Sequence, residues 1–586
     1  MRRGTQAAVR GGARLALGVA REARLRARPV TVGPGQLLAA LGGTDPVEAL
    51  RGHVLEALPT VARFEQALER IDDLRERADE IYAHRFDLLG SGPTDLGPEI
   101  DWHTDFKTGR RWPLRHASLL SVAYGDRSDI KVPWELSRCQ HLPLLAAAWR
   151  QTGERRYLDE LGAQLTSWIR ANPVELGPNW ASTMDVAIRA ANWVAALALC
   201  AEDSAEEPWF RPALESLLLH GRFIRTHPED GSARGNHYLS DIVGLLSVAA
   251  LFADGWEGKD WGSWAVGELV SEMEHQVRGD GCAHEASIPY HRLVTELFVC
   301  GMQAADALDP RRLPDWHRDR LDSMLAFTRD YTRPDGLAPQ IGDADDGRFL
   351  PLGDYGRLDA RDHRHLFRQA DRAYVAARES AVYPEGGFYV LRGEGLYVIV
   401  RCGDTGRYGH GGHSHNDQLS FELVVGEQPV VADPGTYVYT ADPQARNLFR
   451  STRYHATLGL GGDEQNELRT DDLFAMEDRA QAEALSWDAR SFVGRHQEHT
   501  RRLELGSGGL RITDTVESAG GQELEWTFPL EPGTELEVRA EGLDFQAEDG
   551  WHSPSYGVRV PTKFLRARRP ARAGRDVQEL VLRVPS

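Results

Sequence analysis

The spacing of apolar residues changes character once along this chain. Up to about residue 375, apolar positions recur at helical intervals. They do so in Leu142 to Arg150, Tyr157 to Arg170, Thr183 to Ala201, Trp209 to Thr226, Tyr238 to Ala253, Trp264 to Val277 and Leu293 to Ala307. Gly, Pro, Asn and Asp separate these runs, with no strand pattern between them. Many helices on short connectors predict stacked antiparallel pairs, which curve or close into a toroid with helix ends on one concave face. From about Tyr383 the period shortens. Gly387 to Arg392, Leu396 to Arg401, Leu419 to Val425, Pro429 to Ala432, Thr457 to Leu460, Arg501 to Leu505, Leu510 to Glu517, Leu524 to Pro529 and Leu580 to Val584 read as short strands between turns. They predict an antiparallel sandwich or curved sheet. The expected organisation is a basic lead over residues 1–34, helical or disordered, a helical half over 35–375 and a strand half over 376–586. The hinge falls near Asp371–Pro384. Ligand sites favour domain interfaces, so a cleft between the two is expected to hold the site.

Composition narrows the partners. A chain of 586 residues is too long for one core. Its formal net charge of −20 repels nucleic acid and anionic membranes. The same charge repels an acidic polysaccharide unless arginines gather locally in a cleft. No apolar run approaches the roughly 20 residues of a spanning helix, so no transmembrane segment is expected. At the N-terminus, Leu15 to Ala20 is shorter than a signal-peptide core of about 7–15 residues, and arginines resume at once. The five cysteines (Cys139, Cys200, Cys282, Cys300 and Cys402) lack CxxC spacing and read as buried thiols.

Candidate chemistry concentrates at residues 408–423. His410, His413 and His415 fall within six residues of a glycine-rich loop that runs into a strand pattern. Histidines two apart on extended chain face one side, and imidazole serves as base, acid or metal ligand near neutral pH. Asp433 and His455 downstream would complete a metal site with His415; the alternative is that the three groups only hydrogen-bond one another. In the helical half, Arg234-Gly235-Asn236-His237-Tyr238 opens a helix. Asn236 there is either an anion-facing donor or a plain N-cap. Tyr290-His291 follows a Gly-Asp-Gly turn. Tyrosine, with an intrinsic pKa of about 10, protonates a leaving oxygen, and acts as a base only beside cations. Trp180 and Arg189 share a helix with Asp185 and Trp193. An exposed indole stacks on sugar, and arginine pairs with carboxylates. The acidic turn Gln340 to Arg348 is expected to be a solvated loop packing on the second domain, with calcium binding the alternative.

Five of these motifs in order resemble the heparinase II/III-like family of polysaccharide lyases, which includes related alginate lyases. They are Asn236-His237, Tyr290-His291, His413-x-His415-x-Asp417 running into Leu419 to Leu423, Asp433 to Tyr437, and Arg450 to His455. The resemblance spans about Asp101 to His455. It implies an incomplete α/α toroid followed by an antiparallel β-sandwich, and β-elimination of a uronic-acid polysaccharide. It assigns Asn236 and His237 to neutralising the carboxylate, Tyr290 as acid and candidate base, and His413 as base. Trp180, Arg189, Arg234, Tyr238, His291 and His410 are assigned to substrate. His415, Asp433 and His455 are assigned to one divalent metal, zinc by donor type and structural in role. After His455 the family pattern Asn-Thr is Ala456-Thr457 here. The expected partners are an acidic polysaccharide and a second copy of the chain as a homodimer. The resemblance places the protein in the periplasm or outside the cell, and the unconvincing signal peptide leaves the cytoplasm open. Two rival readings stand beside this one. The first is a glycoside hydrolase on the same fold, needing two carboxylates about 5–10 Å apart, with Glu285 and Asp343 or Asp345 as candidates. The second is an inactive polysaccharide-binding or assembly protein.

Overall fold

In the computed structural model, the described residues are 2–231, 234–309, 312–476 and 482–584, with side chains from residue 15 onward except that of Tyr408. Met1 of the basic lead and Ser232 of the loop before Arg234 lie outside them. Helices come first and antiparallel sheets follow, so the fold class read from the sequence holds. The basic lead is helical over Arg2–Ala27.

The helical run includes Leu142–Thr152, Arg155–Ala171, Thr183–Ser204, Phe210–Thr226, Asn236–Leu251, Trp256–Gln276 and Ile288–Leu308. Local chemistry sets their ends. Pro143 sits in the first turn of Leu142–Thr152, and Gly153 caps it in the left-handed region at φ 68°. The Ser182 side chain accepts from Asp185 N–H to start Thr183–Ser204. That helix packs against Leu142–Thr152, Phe210–Thr226 and Asn236–Leu251. Gly244 permits the last approach, since a Cβ there would lie 2.6 Å from the Ala187 Cβ. Surrounded in this way, Thr183–Ser204 is apolar on all faces. It is long and apolar enough to cross a membrane, against the sequence expectation, yet all of its apolar window is buried inside the protein.

Compactness does not follow the helix-to-strand change. One unit comprises Met1–Ser271, Leu297–Pro314 and Arg348–Leu358, and the other Glu272–Glu296, Asp315–Gly347 and Asp359–Ser586. The Tyr290 segment and the acidic turn therefore belong with the sheets.

In that second unit, β1 (Ala381–Tyr383), β2 (Phe388–Gly393), β3 (Leu396–Arg401), β4 (Phe421–Val425) and β5 (Gln428–Val431) form an antiparallel sheet in sequence order. Leu391, Val398 and Val400 face one apolar cluster with Phe492, Ile512 and Trp526. Val390, Tyr397 and Ile399 face another with Ile288, Phe327 and Tyr331. Period-two alternation thus buries both faces, and all six residues of β3 are buried. The strands β6 (Leu458–Leu460), β7 (Glu483–Trp487), β8 (Ser491–His496), β9 (His499–Gly506) and β10 (Gly509–Ser518) follow. After them come β11 (Glu523–Pro529), β12 (Glu537–Arg539), β13 (Gln546–Ser555), β14 (Val558–Pro570) and β15 (Gly574–Arg583). They make a four-stranded sheet, β6-β11-β14-β13, and a six-stranded sheet, β7-β8-β9-β10-β15-β12. All five cysteines are buried and unbridged.

Candidate active site

The histidine loop enters β4 and is clamped on every side by its own unit. His413 C=O accepts from Asp343 N–H at 2.9 Å, Asn416 N–H donates to Arg450 C=O at 2.9 Å, and Leu419 N–H donates to Arg401 C=O at 2.8 Å. Gly411, at φ 56°, passes so close to Met476 that a Cβ would lie 2.7 Å from its side chain. Glycine is required there by both conformation and space.

The clamp brings His413 onto Tyr290, in the first turn of Ile288–Leu308. The rings stack 3.7 Å apart at 16°. Tyr290 is buried, and its hydroxyl lies 3.1 Å from that of Tyr439. Burial, reinforced by Asp345 and Asp343, pushes the Tyr290 phenol well above its ordinary pKa. It therefore carries its proton.

Asp343 organises the rest. Its Oδ1 and Oδ2 accept from the Arg446 guanidinium at 3.0 and 2.7 Å. Burial alone would raise this carboxyl, but Arg446, with His413 and His415, holds it well below the usual range. An ionised carboxylate only accepts. His413 Nδ1, 3.0 Å from Oδ2, and His415 Nε2, 3.1 Å from Oδ1, are therefore both N–H donors. This fixes both tautomers. His413 Nε2 faces Glu285 Oε2 at 3.4 Å.

The same reasoning bears on the three expected metal ligands. His455 Nδ1 donates to Ser451 C=O at 2.8 Å, leaving Nε2 as a lone pair. His415 Nδ1 lies 3.1 Å from it. Asp433 Oδ2 is 3.5 Å from His455 Nε2. Burial, helped by His415, pushes His455 down to about 3, so its ring is neutral. A proton on His415 Nδ1, or a cation between the rings, would bridge these two nitrogens. Donors on bonds of about 2.05 Å around a tetrahedral ion stand roughly 3.3 Å apart. The ligand atoms of His415, Asp433 and His455 all lie within 4.8 Å of one another, so the donor set fits a zinc-like ion. Beside them, Asp417 is buried and neither of its oxygens meets a donor among the described residues.

Asn236, His237, Arg234, Tyr238, Trp180 and Arg189 belong to the first unit. Asn236 is the first residue of its helix, buried, and the N-cap position is Gly235 instead. His237 is exposed and its Nδ1 lies 2.7 Å from Glu229 Oε2. Burial would raise Glu229, but His237 and the N–H groups of Met184 and Thr183 hold it at about 2.

Several expected substrate residues are core residues. Trp180 and Arg189 are 2% and 0% exposed. Arg189 lies 4.1 Å over the Trp168 ring and donates to His220 Nε2 at 2.9 Å and to Asn179 C=O at 3.1 Å. Tyr238 is buried and gives its hydroxyl to Glu268 at 2.7 Å, while Arg234 lies 5.6 Å over its ring. His291 accepts from Ala283 N–H at 3.2 Å and is pushed by burial to about 4. Each of these four is packed among, or bonded to, other residues of the protein; the all-apolar helix carrying Arg189 was the available mark of its burial, while the ring of His291, packed among Phe327 and Tyr331, left none. His410 is exposed. The acidic turn is not a solvated loop, since Asp343 is 0% exposed.

Sequence reasoning missed Arg446 and Tyr439 and gave Asp343 and Glu285 only to the hydrolase reading. Arg446 lies four residues before Arg450, on the buried face of the helix Pro443–Phe449, and that spacing was the available signal.

Comparison with known proteins bears on the fold and the family. A heparin-sulfate lyase of Pedobacter heparinus is 24% identical over 429 residues, covering 70% of this chain and 60% of the relative. One of Bacteroides stercoris is 23% identical, covering 66% of this chain and 60% of the relative. The chain thus spans about 60% of the length of these curated relatives. Among solved structures, a heparinase III superposes with a TM-score of 0.68 at 16% identity, covering 88% of this chain and 85% of that one. The heparan sulfate lyase HepC from Pedobacter heparinus gives 0.55 at 19% identity, covering 90% and 88%. A chondroitin AC lyase of Streptomyces coelicolor A3 gives 0.53 at 12% identity, covering 92% and 83%. These likenesses show the fold, an α/α toroid followed by an antiparallel β-sandwich. The heparinase II/III N-terminus profile matches residues 57–350 and the heparinase II/III-like C-terminal profile residues 376–577, so the chain belongs to the heparinase II/III-like family.

Proposed function

We propose that the protein cleaves a uronic-acid polysaccharide by β-elimination. The stacked pair of a protonated Tyr290 and a His413 fixed by Asp343 carries this reading, and the lyase names of its relatives support it.

The chemistry follows from the groups. His413 Nε2 takes H-5 of the uronate, the C5–H electrons form C4=C5, and the C4–O4 bond breaks. The Tyr290 phenol, kept protonated by burial, gives its proton to O-4. Charge that builds on the uronate carboxylate needs neutral donors or a cation, the role that the resemblance gives to Asn236 and His237. The His413 imidazolium then returns the proton to the Tyr290 phenolate stacked against it, directly or through solvent, and both groups regain their starting states. His415, Asp433 and His455 hold one divalent ion, zinc by donor type, which supplies anchoring for the histidine loop when bound.

The hydrolase reading fares worse. It needs a titratable pair, and Asp343 is engaged by Arg446 and two histidines. The deciding experiment follows absorbance of unsaturated uronate while heparan sulfate, chondroitin sulfate and alginate are screened. Cleavage without that absorbance would favour hydrolysis, and no cleavage at all would favour the binding protein.

A further inference from the structure

β14 carries five basic residues, and four of them meet acids. Lys563 pairs with Asp549 at 2.6 Å, Arg566 with Glu548 at 2.7 Å, Arg568 with Glu548 at 2.7 Å and with Glu525, and Arg569 with Asp576 at 2.6 Å. Arg559 differs: it is exposed and has no acid partner among the described residues. Its guanidinium instead lies 4.4 Å from the Trp551 ring and 4.9 Å from that of Tyr437. Arg453, also exposed, has no acid partner among the described residues either. Arg566, Arg453 and Arg559 all bear on the Tyr454 phenol, which burial raises and these cations lower. The chain as a whole carries a net charge of −20, so arginines without an acid partner stand against the overall balance.

The aromatic partners are held in place. Tyr437 sits in the left-handed region at φ 68°, a conformation that persists for a bulky residue only where its surroundings impose it. Here its N–H donates to Ser553 Oγ at 3.1 Å, and its C=O accepts from Gly557 N–H at 2.7 Å. Trp551 is 36% exposed. An exposed indole face stacks on the C–H face of a sugar. A guanidinium lying on aromatic rings keeps its N–H edge for a carboxylate or sulfate. The platform adjoins the reaction centre along one loop. Two residues beyond Tyr437, Tyr439 reaches the Tyr290 hydroxyl at 3.1 Å and donates its N–H to the Tyr556 hydroxyl, in the β13–β14 turn, at 3.0 Å.

We infer that Tyr437, Trp551 and Arg559, flanked by Arg453, form an outer subsite that grips an anionic sugar unit remote from the bond that breaks. The inference rests on the acidic-polysaccharide reading above. It is tested with size-graded heparan sulfate oligosaccharides on the full chain. The expected result for Trp551→Ala/Arg559→Ala is a KM raised about tenfold for long oligosaccharides, with kcat within twofold and the shortest cleaved oligosaccharide unaffected. Arg502→Ala, which removes an exposed cation of the same unit, should leave every KM alone. A KM unchanged for long chains, or raised equally at all lengths, would overturn the subsite. Should the double variant lose its melting transition, Arg559→Gln alone is read by the same criteria. If wild type forms no unsaturated product, the lyase reading fails on its own. The subsite is then judged by binding of intact heparan sulfate to wild type and variant: weaker binding by the variant supports it, and equal or absent binding overturns it.

Discussion

Asp343 is engaged by three partners at once: the Arg446 fork and one nitrogen each of His413 and His415. Removing its charge strands a buried guanidinium, which costs about 3–5 kcal/mol when one partner of such a pair is lost. We therefore expect Asp343→Asn to lower both melting temperature and turnover. Adding Arg446→Met should restore the melting temperature but not the turnover, because the histidine tautomers stay unset. Full recovery of turnover would reduce Asp343 to a packing role. For the reacting pair, Tyr290→Phe and His413→Ala should each cut kcat by roughly 10²–10⁴-fold while circular dichroism stays unchanged. Substantial activity in Tyr290→Phe would remove the acid from the scheme. Neither Asp343 nor Arg446 announced its role in the sequence. Asp343 lies among Asp345 and Asp346 in one turn, and its arginine is 103 residues away.

At the scale of elements, an ion held by His415, Asp433 and His455 would tie the loop before β4 to the loop after β5 and to the segment before β6. Substituting His415 with alanine should therefore lower bound-metal content and melting temperature together. Metal analysis that finds unchanged content would mean that the ligands lie elsewhere. The helices were legible because long apolar stripes survive any context; Tyr157 to Arg170 falls inside Arg155–Ala171, and Thr183 to Ala201 shares its first residue with Thr183–Ser204. The strands β3, β4 and β11 were legible for the same reason, being buried or nearly so. β13 was not. Its residues Gln546 to Gly550 are polar, exposed or half-exposed, and pair only with β14, so no alternation marks them. Trp180 and Arg189 were misread because a buried cation stacked on tryptophan and an exposed one look identical in sequence.

Across the whole molecule, buried neutral histidines set the response to acid. Burial pushes His141, His284 and His291 each down to about 4. A depressed histidine favours the folded state above its unfolded value of about 6.5, and that contribution is lost as pH falls toward the folded value. At pH 5 each costs about 2 kcal/mol. Melting temperature should therefore drop steadily between pH 7 and pH 5. A flat profile over that range would contradict the buried assignments. Net charge was legible at this scale. The patch around Arg559 was not, since pairing across strands decides which arginines meet an acid.

Asp343 has one further consequence. A single carboxylate touches both His413 and His415, one through each oxygen, so a disturbance at either ring is carried to the other through one side chain that Arg446 pins in place.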